Sequence, residues 1–168
     1  VALNPVANGD SAQIYTNLRQ VFCPSGAAST GDMYKRLVVE FELQFSGADP
    51  GLNTAVCFGL ITSSTGRGAN DIAVFGFLAD VMQTITDLAG TETQTASLVN
   101  PTITNWNLYK IVVRNGAIDF FINGALANTH TTNLIAAPAF FAAKAERAVG
   151  DAASIMNIGA VRVHLEDE

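Results

Sequence analysis

Two Asn-Gly dipeptides, at residues 115–116 and 123–124, lie eight residues apart within one run of strand-forming residues. Asn-Gly is the strongest short-range signal of a tight β-hairpin, because both central residues of a type I′ turn need a positive φ angle. Two such turns in succession predict a three-stranded antiparallel meander from Trp106 to about Thr131. This meander limits the fold of the chain more than any other feature.

The two turns also predict the register of the meander. A two-residue turn places the residues on either side of it directly opposite each other. The predicted pairs are Val113 with Ile118, Ile111 with Phe120, Tyr109 with Ile122, Ile122 with Ala125, Phe120 with Ala127 and Ile118 with Thr129. One face of the meander then carries an almost wholly apolar block, as in a sheet that packs on a core.

Strand patterns also occupy most of the remaining chain. Residues 37–45 alternate between apolar and polar side chains, and so do residues 158–165, which indicates half-buried antiparallel strands. Further strand-like runs are found at 55–62, 72–78, 81–87 and 91–98. The Ala-rich segment 139–149 has the propensity of a helix. Because strands surround it, a strand at Ala139–Ala145 is favoured, with a short helix as the alternative.

The number and spacing of these strands predict an all-β fold. About ten short strands, with turns roughly every 8 to 12 residues, are typical of a sandwich or barrel. In a chain of 168 residues they fit a two-sheet antiparallel jelly-roll β-sandwich. We expect one domain that spans residues 1–168. Residues 1–20 belong either to the sandwich or to an extended N-terminal arm.

The composition argues against several classes of partner. The chain has a net charge of −6 and only nine Lys and Arg residues, which form no basic cluster that would neutralise phosphates. Binding to nucleic acid or to an anionic membrane is therefore not expected. No apolar stretch is long enough to cross a bilayer, so membrane insertion is not expected either. For the two cysteines, Cys23 and Cys57, free thiols are favoured over a single disulfide.

The meander also matches the sequence pattern of a known structural class. The pattern W-x-x-Y-x-I-x-V-x-N-G-x-I-x-F-x-I-N-G over residues 106–124 resembles the late strands of concanavalin A-like lectin/glucanase and laminin-G-like domains. The pattern G-x-V-x-V-x-L over residues 159–165 resembles their last strand. Within this class, the Thr-rich strands and Phe75-Gly76-Phe77 are most similar to domains of bacteriophage virion proteins. The resemblance implies a concanavalin A-like jelly roll.

The resemblance to glucanases makes acidic pairs the first candidates for catalysis. Glu40 and Glu42 lie on one face of a predicted strand. Their separation of about 6.5–7 Å is in the range that glycoside hydrolysis uses. Glucanases of this fold use Glu-x-Asp-x-Glu, however, and the position that would complete the triplet holds Gln44 or Val38 here. A solvated polar face is therefore favoured over a catalytic pair.

Nucleophilic catalysis has no better support. His130 follows a strand end among Thr and Asn residues, and His164 lies on the polar face of the last strand. Both are interpreted as surface histidines, and no Gly-x-Ser-x-Gly motif accompanies them. We therefore expect that the protein is not an enzyme and has no catalytic residues. A glycoside hydrolase is the less favoured alternative.

Calcium is the one cofactor that the resemblance implies, since lectin and laminin-G domains often bind it. The ion takes six to eight oxygen ligands. Two loop pairs, Asp49 with Asn53 and Asn70 with Asp71, are candidate ligands. Such residues commonly bond their own backbone, so loop capping is favoured over a metal site. No other cofactor is expected.

Aromatic side chains are the candidates for glycan binding. Trp106 is the single tryptophan, and core burial is favoured for it because a large aromatic side chain stabilises most when buried. Tyr15 and Tyr34 remain as rim aromatics for ligand binding. Phe121 and Leu126 pair on the face opposite the core block and form the predicted subunit interface.

Together these features predict a non-catalytic structural and recognition module. The resemblance places it on a virion surface, as a capsid decoration or a tail or fibre component that docks on other virion proteins. We expect a homo-oligomer, with cell-surface glycans as a further partner. The alternative is a free, secreted, extracellular lectin that binds carbohydrate.

Overall fold

Twelve β-strands form the regular secondary structure of the described part of the chain. The computed structural model describes residues 1–3, 11–15, 36–47, 56–62, 71–78, 81–135, 139–146 and 154–166. The strands are β1 (Ala2–Leu3), β2 (Ser11–Tyr15), β3 (Arg36–Gly47), β4 (Cys57–Ile61), β5 (Ile72–Leu78), β6 (Val81–Leu88), β7 (Thr91–Ala96), β8 (Asn107–Arg114), β9 (Ala117–Ile122), β10 (Ala125–His130), β11 (Phe140–Glu146) and β12 (Ser154–Glu166). These ranges contain no helix, and so none that could cross a membrane.

The strands form two sheets of six strands each. Sheet 1 has the order β1-β12-β3-β8-β9-β10, and sheet 2 has the order β2-β11-β4-β5-β6-β7. Every pair of neighbouring strands is antiparallel. The apolar faces of the two sheets enclose a common core. The predicted all-β, two-sheet jelly-roll sandwich is therefore confirmed.

Two segments whose structure the sequence left open form strands. Phe140–Glu146 is β11, which lies between β2 and β4, so the strand interpretation of the Ala-rich segment is confirmed. Near the N-terminus, Ala2–Leu3 pairs with β12 and Ser11–Tyr15 pairs with β11. Cys57 is buried on β4, and Cys23 lies outside the described residues.

Aromatic side chains fill the centre of the core. The ring centroid of Phe41 on β3 lies 4.9 Å from that of Phe141 and 5.7 Å from that of Tyr109. Phe75 stacks on Phe58 at 5.6 Å. Each such ring stabilises the fold by roughly 1.5–3 kcal/mol through burial. The Tyr109 hydroxyl has no hydrogen-bond partner among the described residues, and burial raises the pKa of Tyr109.

Three two-residue turns within the described ranges connect neighbouring strands. At 123–124 both residues have positive φ angles, 51° and 82°, as a type I′ turn requires. At 115–116 only the glycine has a positive φ, 72°, so the predicted type I′ geometry is wrong there although the turn length is right. Ala89 and Gly90 form the third turn, with φ angles of 52° and 86°. The Gly90 N–H donates to Asp87 Oδ1 at 2.7 Å and supports this turn.

A β-bulge in β10 changes the register of the last hairpin. All predicted pairs between β8 and β9 are observed, but beyond Leu126 the pairing of β10 with β9 is shifted by one residue. The observed pairs are Asn128 with Phe120, Thr129 with Asp119 and His130 with Ile118. The two predicted pairs beyond Leu126 are wrong, because the extra residue reverses the side-chain alternation. His130 therefore faces the core in place of Thr129.

His130 is 3% exposed and joins the two sheets through a polar network. Its Nε2 atom lies 2.9 Å from Thr84 Oγ1, and its Nδ1 atom lies 2.9 Å from Thr86 Oγ1. Asn128 Nδ2 donates to Thr84 Oγ1 at 2.9 Å, and Thr86 Oγ1 donates to the Thr132 carbonyl at 3.2 Å. These bonds satisfy a neutral imidazole, because one ring nitrogen donates to a threonine hydroxyl and the other accepts from the second threonine hydroxyl. The prediction of a surface histidine is wrong because the bulge turns this side chain inward.

We expect the free energy of unfolding to decrease as the pH is lowered, because His130 is buried in the folded protein. Burial lowers the pKa of His130 from its ordinary value of 6.5, so near that pH the unfolded chain binds a proton that the folded chain does not. The stabilisation is fully present above about pH 6.5 and is lost as the pH falls from there towards the folded-state pKa. Urea unfolding at about pH 7.5 and about pH 5.5 measures this loss. His130→Gln is the control without an imidazole, and an equal pH dependence of the two proteins would contradict the assignment.

Candidate functional site

The outer face of sheet 1 carries a row of charged and apolar side chains. Side chains alternate along β3, so Phe41 is buried in the core while its neighbours Glu40 and Glu42 lie on the outer face. A line of directly paired residues crosses five strands on this face. This line, which we call the charged row, consists of Arg162, Glu40, Lys110, Phe121 and Leu126.

A β-bulge in β12 shapes the surface beside the charged row. The pairing of β12 with β3 shifts by one residue, so Gly159 and Ala160 together lie opposite Glu42. A Cβ atom added to Gly159 would lie 2.8 Å from Glu42 Oε2 and 3.3 Å from Trp106 Cζ3. The Glu42 carboxylate and the edge of the Trp106 ring therefore lie within about 6 Å of each other. Both lie above Gly159, which has no side chain to separate them.

Trp106 is 52% exposed, so the prediction that it is a core residue is wrong. Tyr109 and Ile111 face the core, and residues at odd separations from them along an extended chain face the other way. The same alternation leaves Leu108 42% exposed. The sequence contained this signal, because the spacing of three residues between Trp106 and Tyr109 places them on opposite faces.

An open cleft of about 210 Å³ on this face is formed in part by Glu42, whose carboxylate lies beside the Trp106 ring. It is lined by Glu40, Phe41, Glu42, Leu108, Ala160 and Arg162. Arg162 Nη1 lies 3.6 Å from Glu40 Oε2, and the Arg162 side chain is 75% exposed, so this ion pair is weak and accessible to a ligand. The exposed ring supplies a stacking surface, the carboxylates accept hydrogen bonds and the guanidinium donates them. Such a set suits a polar ligand with flat apolar faces.

The predicted interface pair lies at the far end of the charged row. Leu126 is 49% exposed, and its cross-strand neighbour Phe121 is half-buried. The Lys110 ammonium lies 4.7 Å from the centre of the Phe121 ring, which is a cation–π contact. The pair therefore shares one face of the sandwich with the cleft, and its role in a subunit interface stays a prediction.

The other predicted site residues are Tyr15, Tyr34, Asp49, Asn53, Asn70 and Asp71. Those outside the described residues are Tyr34, Asp49, Asn53 and Asn70. Tyr15 ends β2 in sheet 2, where it pairs with Ala142 of β11. Asp71 Oδ1 accepts a hydrogen bond from the Ala89 N–H at 3.1 Å, which is a loop-capping contact. In the described ranges no three His, Cys, Asp or Glu side chains form a group that could hold a metal ion, and calcium binding stays a prediction.

Solved structures with the same fold include both enzymes and a toxin. The match to a Crh5 transglycosylase in complex with NAG covers 96% of this chain and 71% of the transglycosylase chain, with a TM-score of 0.64 and 17% identity. The match to alginate lyase AlyC3 in complex with dimannuronate covers 94% of this chain and 72% of the lyase chain, with a TM-score of 0.63 and 9% identity. A third match is to a structure of botulinum neurotoxin type C, whose cell entry depends on two ganglioside molecules. It covers 96% of this chain but only 38% of the neurotoxin chain, with a TM-score of 0.55 and 14% identity. No protein-family model and no curated protein matches the sequence.

These likenesses define the class of fold, which is the jelly roll of lectin-like and glucanase-like proteins. The expectation that the protein is not an enzyme is contradicted, because the transglycosylase and the lyase are enzymes built on this fold. The fold is therefore compatible with catalysis as well as with binding. The finer resemblance to bacteriophage virion domains has no counterpart among these three structures.

Proposed function

We propose that this chain is a saccharide-binding domain whose ligand stacks on Trp106 at the edge of the cleft. The observation that carries the proposal is the exposed Trp106 ring within about 6 Å of the Glu42 carboxylate. A tryptophan ring offers a flat apolar surface to the C–H face of a sugar, and carboxylate oxygens accept hydrogen bonds from its hydroxyls. Arg162 adds hydrogen-bond donors in the same cleft.

The structural neighbours support saccharides as the class of ligand. The transglycosylase structure contains NAG, the lyase structure contains dimannuronate, and the neurotoxin depends on gangliosides for cell entry. The transglycosylase and the lyase are bound to saccharides in these structures, whereas the match to the neurotoxin covers only 38% of that protein's chain. At 9–17% identity they bear on the class of ligand, and the position of the site rests on the geometry around Trp106.

Replacing Trp106 with alanine is expected to weaken saccharide binding by at least tenfold. The substitution removes the stacking surface. A tryptophan that becomes buried when a complex forms commonly contributes about 2 kcal/mol or more to the binding free energy, which is more than a tenfold change in affinity. Because Trp106 is the only tryptophan of the chain, its fluorescence in the parent protein reports directly on the site. Titration of a panel of oligosaccharides, followed by fluorescence and by calorimetry, measures the effect.

The matched control for this test is Phe121→Ala. This variant also removes an aromatic ring from the outer face of sheet 1. Phe121 lies on β9, however, three strands away from Arg162 along the charged row. We expect this variant to bind saccharide as the parent protein does. Trp106 is about half exposed, so its replacement should leave the backbone fold, and with it the far-UV circular dichroism spectrum, unchanged. Equal affinity of Trp106→Ala and the parent protein would place the ligand elsewhere and refute the proposed site.

A finer form of the proposal concerns the setting in which the domain acts. We propose a virion surface or another extracellular location, with host glycans and other virion proteins as partners. The support is the resemblance of the Thr-rich strands and of residues 75–77 to virion domains, together with the exposed Leu126 beside Phe121 as a contact for a second copy. A secreted lectin is the alternative, and a glycan-binding protein that is monomeric in solution would favour it.

A further inference from the structure

We infer that the site takes amino sugars, whose ammonium group lies between Trp106 and Glu42, in preference to glycans that carry carboxylates. This assignment of a ligand class rests on the saccharide-binding function proposed above. It follows from where the charges of the outer face lie relative to the Trp106 ring, and not from the total charge of the cleft.

Glu42 is the charged group that lies next to the Trp106 ring. Its Oε2 atom and Trp106 Cζ3 are 2.8 Å and 3.3 Å from one point above Gly159. The residues paired with Glu42 across the sheet are apolar, namely the bulge at 159–160 on one side and Leu108 on the other. A ligand stacked on the ring therefore meets the exposed Glu42 carboxylate, and the residues directly opposite this carboxylate on both neighbouring strands form a neutral surrounding.

The neutral surrounding continues beyond Glu42 along the strands. Gln44, two residues further along β3, donates its Nε2 hydrogen to the Thr104 carbonyl at 2.7 Å, and its partner across the sheet is Asn157. On the other side, Asn123 Oδ1 accepts a hydrogen bond from the Leu108 N–H at 2.9 Å. These side chains are uncharged amides, so they do not offset the carboxylate of Glu42.

The cations of the described residues around this position have partners of their own. The N-terminal ammonium of Val1 donates to the Ile158 carbonyl at 2.8 Å. Arg162 and Lys110 belong to the charged row, which crosses β3 at Glu40, about 6.6 Å from Glu42 along the strand. Arg162 Nη1 lies 3.6 Å from Glu40 Oε2, and Lys110 Nζ lies 4.7 Å from the centre of the Phe121 ring. Arg162 and Lys110 thus both have partners within the charged row, and Arg162 lines the cleft together with Glu42.

Two physical effects at this position favour a cationic ligand group. An ammonium beside Glu42 gains a charge-assisted hydrogen bond. The same ammonium is attracted to the face of the Trp106 ring, because an aromatic ring is negative at its face. A uronate at this position gains neither effect and meets the like charge of Glu42, in a chain whose net charge is −6.

The test compares three tetrasaccharides of equal length at low ionic strength, by calorimetry and by the fluorescence of Trp106. They are a glucosamine oligomer at a pH where its amines are protonated, its neutral N-acetylated counterpart and a uronate oligomer. We expect the glucosamine oligomer to bind roughly tenfold more tightly than the N-acetylated one, with the uronate oligomer weakest. Added salt should reduce this difference, since charges at an exposed site are screened.

Two variants separate a local charge effect from a global one. Glu42→Gln removes the charge and keeps a hydrogen-bond acceptor, so the glucosamine and N-acetylated oligomers are expected to bind this variant with equal affinity. Glu92→Gln makes the same change of net charge at an exposed position on β7 of sheet 2, and it should keep the preference. Loss of the preference in both variants would attribute it to the net charge and overturn the inference.

The outcomes distinguish this inference from the proposed function. If the neutral or the uronate oligomer binds as tightly as glucosamine and Trp106 fluorescence responds, saccharide binding stands and the preference for amino sugars is refuted. If no saccharide of the panel changes the fluorescence or gives a heat of binding, the proposed function is refuted and the inference falls with it.

Discussion

Replacing Gly59 with alanine is expected to lower the free energy of unfolding by at least about 3 kcal/mol. Gly59 lies in the middle of β4 with a φ angle of +149°, where residues with a Cβ atom are strained. An added Cβ would lie 2.5 Å from the Ala73 carbonyl oxygen and 2.9 Å from Ile111 Cδ1. The first atom belongs to the backbone of β5 and the second to the opposing sheet, so neither strand pairing nor sheet packing can be kept without displacement.

Urea unfolding of the parent protein, of Gly59→Ala and of Gly124→Ala measures this effect. Gly124 is the matched control, because its φ angle is also positive, +82°, but no atom lies within 4 Å of an added Cβ. Its replacement should cost only the strain of a left-handed residue, about 1 kcal/mol. Similar losses in the two variants would show that the close contacts around Gly59 are relieved at little cost.

Replacing Phe41 with alanine is the second substitution for which we expect a large effect, a loss of about 3–5 kcal/mol in the free energy of unfolding. Phe41 is fully buried and contacts rings from both sheets, among them Phe58 at 5.8 Å and Tyr109 at 5.7 Å. The cavity left behind lies on the core side of β3, directly behind the part of the strand that carries Glu40 and Glu42 on its outer face. Saccharide affinity is therefore expected to fall together with stability.

Phe121→Ala serves as the control for Phe41→Ala in the same unfolding experiment. It deletes the same number of atoms from a neighbouring part of sheet 1, but its ring is half-buried on the outer face and contacts Lys110. We expect a loss of about 1 kcal/mol or less for this variant. A loss below about 2 kcal/mol for Phe41→Ala would mean that the core closes over the missing ring, and the central role of Phe41 would be wrong.

Much of the fold was predictable from local sequence signals. Asn-Gly pairs and strict alternation of side chains define the hairpins and the strands, because turn geometry and the two faces of a strand depend on neighbouring residues only. The β8–β9 pairs and the buried face of β3 were therefore predicted correctly. Even the Ala-rich β11 followed from the need to complete a sheet, against its helical propensity.

The candidate site was predicted only in part. Glu40 and Glu42 were placed correctly on one outer face, and the exposure of Trp106 was present in its spacing from Tyr109, although burial was preferred there because of its size. The closeness of Glu42 to Trp106 was not predictable, since it depends on which strand pairs with β3. Gly159 gave no signal in the sequence that distinguished it from a turn residue.

By itself, the sequence determined the strands, most of their faces and the tight turns of this protein. The tertiary structure alone decided the positions of the two bulges, at Leu126–Asn128 and at Ile158–Val161. The first bulge buries His130 between the sheets, and the second contains Gly159, which leaves open the space that the Glu42 carboxylate and the edge of the Trp106 ring both adjoin. In a bulge, two residues of one strand lie opposite a single residue of its partner. A bulge is therefore a property of the pair of strands and cannot be read from either segment alone.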